Sequence, residues 1–252
     1  QSLDLIKHRG PDSQKYYSDK DNKVFFGFNR LSIVDLSEKA DQPMIDKELD
    51  KLIVFNGEIY NHAKIRDFLK TKNYSFSTSS DTEVILKGYD FWKESVLDHL
   101  EGMFSFVIHD KQKNKLFFAR DRFGEKPLYY YYDQNNESFY FSSDLLPIKK
   151  ASFISKQINF EALDLYFKYN YIPSPFSIYK NISKLEPGKI LEYDLKSFKI
   201  NDYYYFNSFN SFKKVKSNLS FKEASNELEN LLITKIENQL IADVPLGSFL
   251  SG

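Results

Sequence analysis

Three short runs in the first half of the chain are apolar on both faces: Leu52-Ile53-Val54-Phe55, Met103-Phe104 with Phe106-Val107-Ile108 around a single Ser105, and Leu116 to Ala119. Neighbouring side chains in a strand point to opposite faces, so such runs need cover on both sides. Leu128 to Tyr132 and Phe139 to Ser142 follow, and turn residues such as Asp133-Gln134-Asn135-Asn136 separate them. The spacing predicts an antiparallel meander. A layered α+β sandwich satisfies these runs better than an open barrel. With 24 Phe and 18 Tyr in 252 residues, the chain can fill such a core.

One of these runs ends unusually. Phe55 is followed by Asn56-Gly57-Glu58-Ile59-Tyr60-Asn61, an amide, a glycine and a carboxylate at the mouth of a sheet. A side-chain donor beside an unhindered backbone N–H suits an oxyanion hole, and the carboxylate suits a substrate ammonium group. An Asn-Gly turn between two strands reads from the same residues.

The bulk properties exclude several function classes. Lys+Arg and Asp+Glu are both 35, and no long basic block breaks the balance, so nucleic acid is not an expected partner. The cluster Lys213-Lys214-Val215-Lys216 lies among Ser and Asn and reads as a solvated linker. No segment has the apolar length of a membrane span and no signal peptide is visible. The absence of cysteine excludes disulfides and fits a cytoplasmic protein. His8, His62, His99 and His109 lack metal-ligand spacing, and no metal site is expected.

Along the chain, Val24 to Phe28 and Leu31 to Val34 read as strands. Helical spacing covers Ala63 to Leu69 with Asn61 as N-cap, and Thr82 to Tyr89 with Asp81 as cap. Tyr166 to Pro175 reads as an ordered connector, Leu185 to Lys189 as a turn, and Ile190 to Tyr193 as a last strand. Asn207 to Asn218 is polar and marks a domain boundary. Beyond it Ser220-Phe221-Lys222-Glu223 is a capping box, opening a helix that ends near Leu240. Asp243 to Leu250 reads as a strand running into Ser251-Gly252, the way a phosphate-gripping loop begins.

Taken in order, the motifs are His8-Arg9-Gly10-Pro11-Asp12, Arg30 to Asp35, Gln42-Pro43, Asn56 to Asn61, Ser80-Asp81-Thr82-Glu83, Gly102 to Phe106, Arg120 to Leu128, Asp243 to Gly247 and Leu250-Ser251-Gly252. This set resembles the glutamine-hydrolysing asparagine synthetase family over essentially the whole chain. The resemblance implies that residues 1–206 form a class II glutamine amidotransferase domain, a four-layer α/β/β/α sandwich of N-terminal nucleophile hydrolases. Residues 207–217 would be a linker. Residues 218–252 would open an ATP-pyrophosphatase domain, with its first helix and strand. It further implies glutamine, aspartate and ATP with Mg2+ as substrates, an aspartyl-adenylate attacked by tunnelled ammonia, and a homodimer.

Carried onto this sequence, the resemblance puts Asn56 and Gly57 in the oxyanion hole. Arg30 would pair with the glutamine carboxylate as a bidentate fork. Glu58 and Asp81 would face the ammonium, and backbone groups of Leu31, Ser32, Ile33 and Val34 would line the pocket. Leu250, Ser251 and Gly252 would begin the nucleotide site. His8 to Asp12 would form pocket wall, and Arg120 to Leu128 a packing loop. The family's nucleophile is an N-terminal cysteine whose α-amine serves as base. None exists here, so the domain is expected to be N-terminally truncated and the 252 residues inactive in both half-reactions. Two alternatives remain: an amidotransferase of this architecture acting on another carboxylate, such as a cell-surface sugar acid or a β-lactam precursor, and a non-catalytic glutamine-binding module.

Overall fold

A computed structural model describes residues 2–20, 23–209 and 218–249. Its strands are β1 (Ser13–Asp19), β2 (Val24–Arg30), β3 (Met44–Asp46), β4 (Lys51–Ile59), β5 (Gly102–Asp110), β6 (Lys115–Arg120), β7 (Tyr129–Asp133), β8 (Ser138–Ser142), β9 (Ile182–Lys184), β10 (Lys189–Asp194) and β11 (Ile200–Tyr204). The α-helices are α1 (His62–Lys70), α2 (Asp81–Trp92), α3 (Val96–His99), α4 (Leu145–Lys150), α5 (Phe160–Tyr169) and α6 (Phe221–Asn238).

Period-two alternation sorts the central strands onto two cores. The main sheet has six strands in the order β11-β10-β6-β5-β4-β3. Ile53, Phe55, Phe104, Phe106, Ile108, Phe117 and Ala119 face one side, where they pack with Ile65 and Leu69 of α1 and Val84, Ile85 and Tyr89 of α2. Leu52, Val54, Val107, Leu116 and Phe118 face the other, against Val24 and Phe26 of β2 and Leu128. Two smaller sheets, β1-β2 and β8-β7-β9, lie on that second side. The β8-β7-β9 sheet carries a third cluster on its other face, of Tyr131, Ile148, Ile154, Tyr179 and Ile182, with Ile148 contributed by α4. The layers are therefore helix, sheet, sheet, helix. The doubly apolar runs are buried as expected, each large side chain contributing about 1.5–3 kcal/mol relative to exposure.

Several local expectations need correction. The meander is divided: β5 and β6 pair in the main sheet, whereas β7 and β8 pair in a separate one. The crossing is made by the Arg120 to Leu128 loop, gathered around the buried Asp121 carboxylate. That carboxylate accepts hydrogen bonds from the backbone N–H of Phe104, Phe123, Glu125 and Lys126. Ile190 to Tyr193 is not the last strand, because β11 pairs beyond it. Tyr166 to Tyr169 is not connector but the end of α5, capped by Asn159 at one end and left-handed Asn170 at the other. Leu31 to Val34 is not a strand and Leu31 is exposed. Its apolar alternation mimics a strand, but its polar groups serve Arg30 and Asp12 instead. Asp243 to Phe249 is likewise not a strand, and Leu250, Ser251 and Gly252 lie outside the described residues.

Two caps also differ. Ser80, not Asp81, is the N-cap of α2, its side chain accepting from Thr82 N–H. Asn61 precedes α1 without capping it; its side chain bridges His99 O and Glu101 N. The Ser220–Glu223 capping box of α6 is present on both legs. Most of the boundary segment, residues 210–217 with the lysine cluster, lies outside the described residues.

Candidate active site

The alternation that builds the second core also aims Asn56. Leu52 and Val54 point towards the small sheets, so Asn56 does too, opposite Ser105 on β5. There it borders a cavity of about 370 Å³. Val54, Phe55 and Asn56 of β4 with Ser105 to Val107 of β5 form one wall, while Phe25 to Asn29 of β2 and Phe139 to Ser142 of β8 form the others. β2 pairs only with β1, and β8 only with β7. The cavity thus lies against one unpaired edge of each small sheet. The Asn56 amide nitrogen is buried there without a hydrogen-bond partner. A buried unsatisfied donor costs about 1–3 kcal/mol, so its retention points to a ligand oxygen.

Gln42 fixes the strand that presents it. Its side-chain amide donates to Phe55 O at 3.1 Å and accepts from Phe55 N–H at 2.6 Å, standing in for a strand residue beside β4 beyond the end of β3. Gly57 is required on the opposite side of the same turn of backbone. Its φ is +155°, and a Cβ there would lie 2.1 Å from Met103 O.

The acids behind Gly57 create a negative field. Asp81 is buried and accepts from Ile59 N–H at 2.9 Å. Burial, reinforced by the charge of Glu58, pushes its carboxyl up to about 6 despite that bond and one from Thr82 N–H. Glu58 is also raised by burial, with Lys126 opposing. Burial followed by the charges of Glu58 and Glu125 lifts the Tyr60 hydroxyl to about 12. A cation entering here would relieve both desolvated carboxylates.

Arg30 stands apart from this cluster, at the end of β2 beneath the Leu31 to Ser37 loop. It is buried, and its terminal nitrogens donate to Asp41 at 2.9 Å, Ser37 O at 2.9 Å, Val34 O at 3.3 Å and Asp35 O. Burial alone would raise the Asp41 carboxyl, but donors from Lys15, Arg30 and Ser13 hold it below the usual range. The fork is thus turned onto the protein, and a ligand carboxylate would have to replace one of these oxygens. Asp35 ties the two halves together, its Oδ2 accepting from Ser79 N–H at 2.7 Å next to the α2 cap. Asp35, Asp41 and Ser105 were not singled out from sequence. Asp35 closes the Arg30 to Asp35 motif and Asp41 adjoins Gln42-Pro43, so position was their one legible signal.

Comparison with known proteins bears on this arrangement. A glutamine amidotransferase domain model matches residues 1–204. The chain belongs to that family. The chain is 37% identical over 256 residues to asparagine synthetase [glutamine-hydrolyzing] 1 of Bacillus subtilis, covering 98% of this chain and 38% of that protein. It is 32% identical over 248 residues to asparagine synthetase B of Escherichia coli, again over 98% of this chain and 38% of the relative. The chain spans half or less of the length of such curated relatives. Glutamine phosphoribosylpyrophosphate amidotransferase of B. subtilis matches in structure with a TM-score of 0.57 at 16% identity, over 81% of this chain and 45% of that one. That likeness establishes the α+β amidotransferase fold alone. Among the described residues no helix is long and apolar enough to cross a membrane, and no group of three or more metal-ligating side chains occurs.

Proposed function

We propose that the chain is the glutamine-hydrolysing part of an asparagine synthetase. The buried, unpartnered Asn56 amide beside Gly57 carries this reading. In the reaction a thiol adds to the side-chain carbonyl carbon of glutamine. Asn56 and the Gly57 N–H hold the oxyanion, each such donor worth about 3 kcal/mol of barrier. The amide nitrogen then leaves as ammonia, and water cleaves the thioester. Glu58 and Asp81 take the substrate ammonium, Arg30 its carboxylate, and the Leu31 to Val34 backbone closes the pocket. The 252 residues contain no thiol, so they bind glutamine without turning it over.

The remaining roles belong to the same proposal. Ammonia serves the amidation of aspartate, with ATP and Mg2+ as co-substrates, in a cytoplasmic homodimer. Isothermal titration of the chain with L-glutamine tests the central claim, alongside ammonia release against a buffer blank. Binding that Asn56→Ala weakens, without turnover, supports it. Turnover above the blank overturns the claim that these residues bind glutamine without hydrolysing it, and failure to bind overturns the glutamine site.

A further inference from the structure

The Leu31 to Ser37 loop is held from a distant part of the chain. After α6 the backbone returns to it, and Asp243 makes two contacts there, one of them to a residue 208 positions away in sequence. Its Oδ2 accepts from Asp35 N–H at 2.7 Å, and its own N–H donates to Ile33 O at 2.8 Å. Asp35 is buried and left-handed, with φ +58°, a conformation that a non-glycine residue holds only when its surroundings over-determine it. The other constraints are visible. Its carboxylate accepts from Ser37 N–H, the Ser37 hydroxyl and Ser79 N–H, and its carbonyl accepts from Arg30. The N–H is the group satisfied from beyond the amidotransferase domain. Asp243 is also felt electrostatically at the buried His62 ring that begins α1.

We propose that Asp243 is a positioning residue for the glutamine pocket, latching the loop whose carbonyls aim the Arg30 guanidinium. This rests on the reading of Arg30 as the carboxylate ligand. The latch residue belongs to the segment after α6, so displacement of that segment is transmitted to Arg30 through two hydrogen bonds, the charge-assisted one from Asp35 N–H and the backbone one to Ile33 O. Glutamine affinity would then respond to the state of the region that follows the amidotransferase domain.

The test uses the 252-residue chain and two readouts: hydrogen exchange at the Asp35 amide, and L-glutamine affinity by calorimetry. Asp243→Ala is expected to speed exchange and weaken glutamine binding, each roughly tenfold for loss of one bond to a charged acceptor. Asp243→Asn keeps an acceptor oxygen and stays within about twofold of wild type on both. Lys235→Ala removes the 2.6 Å contact of α6 with Glu101 and leaves both readouts unchanged, which separates the latch from simple docking. Unchanged Asp35 exchange in Asp243→Ala, with glutamine still bound normally, overturns the latch and leaves the amidotransferase reading standing. Faster exchange in a chain whose wild type does not bind glutamine overturns that reading and leaves the latch.

Discussion

Replacing Asp81 by Asn is expected to stabilise the chain at neutral pH while removing a ligand for glutamine. Folding raises the Asp81 carboxyl from 3.8 to about 6, chiefly through burial. The folded state therefore favours the protonated acid. Stability from this group is fully present below about pH 4 and is lost as pH rises through 6. A carboxyl displaced this far costs the folded state about 3 kcal/mol at pH 7 and above. Asparagine is neutral at every pH, and its side-chain oxygen can still accept from Ile59 N–H. Asp81→Asn should thus exceed wild type by up to about 3 kcal/mol at pH 7.5, about 6–12 °C in Tm for a domain this size. At pH 4 the two should coincide. Urea unfolding of both proteins at several pH values measures the difference, in which titrating groups that do not feel the Asp81 charge cancel and Glu58, which does, adds to the gap in the same direction. A variant less stable than wild type at pH 7.5, or a gap that does not change with pH, would refute the burial argument. Asparagine offers no charge to an ammonium, so the same variant should lose glutamine binding.

Three further outcomes follow from the packing. Gly57→Ala drives a Cβ into Met103 O and should lower stability by about 1–3 kcal/mol, whereas Gly247→Ala, with nothing within 4 Å, should leave the melting temperature unchanged. Asp121→Asn turns an amide N–H₂ towards two backbone N–H groups and should cost about 2–6 kcal/mol by chemical denaturation. Ser220→Ala removes the α6 capping box and should cost about 1 kcal/mol of helix stability, seen as increased amide exchange in the first turn, while glutamine affinity stays at the wild-type value.

Much of this architecture is legible in the sequence because it depends on local period. Consecutive apolar residues in β4, β5 and β6 demand two covered faces, and two distinct cores supply them. The α6 capping box is equally local. What escapes is set by single side chains acting across long separations. Asp121 decides that β7 leaves the sheet of β6. Asp35 and Asp243 decide that Leu31 to Val34 becomes a loop, although Leu31 and Ile33 alternate like a strand. Of the sequence candidates, Asn56, Gly57, Glu58 and Asp81 converge at the end of β4, where a strand pattern and a helix start are both readable. The engagement of Arg30 with Asp41 is invisible without the fold, because nothing in their spacing marks an ion pair.

The main sheet has a consequence for synthesis on the ribosome. β6 is flanked by β5, made just before it, and by β10, whose Ile190 pairs with Ala119. At about 5–20 residues per second, the roughly 70 residues between them take several seconds to emerge. Throughout that interval the nascent chain carries a hydrophobic strand with one open side. Translation pauses between β6 and β10 would lengthen the exposure, and pauses after β11 would not.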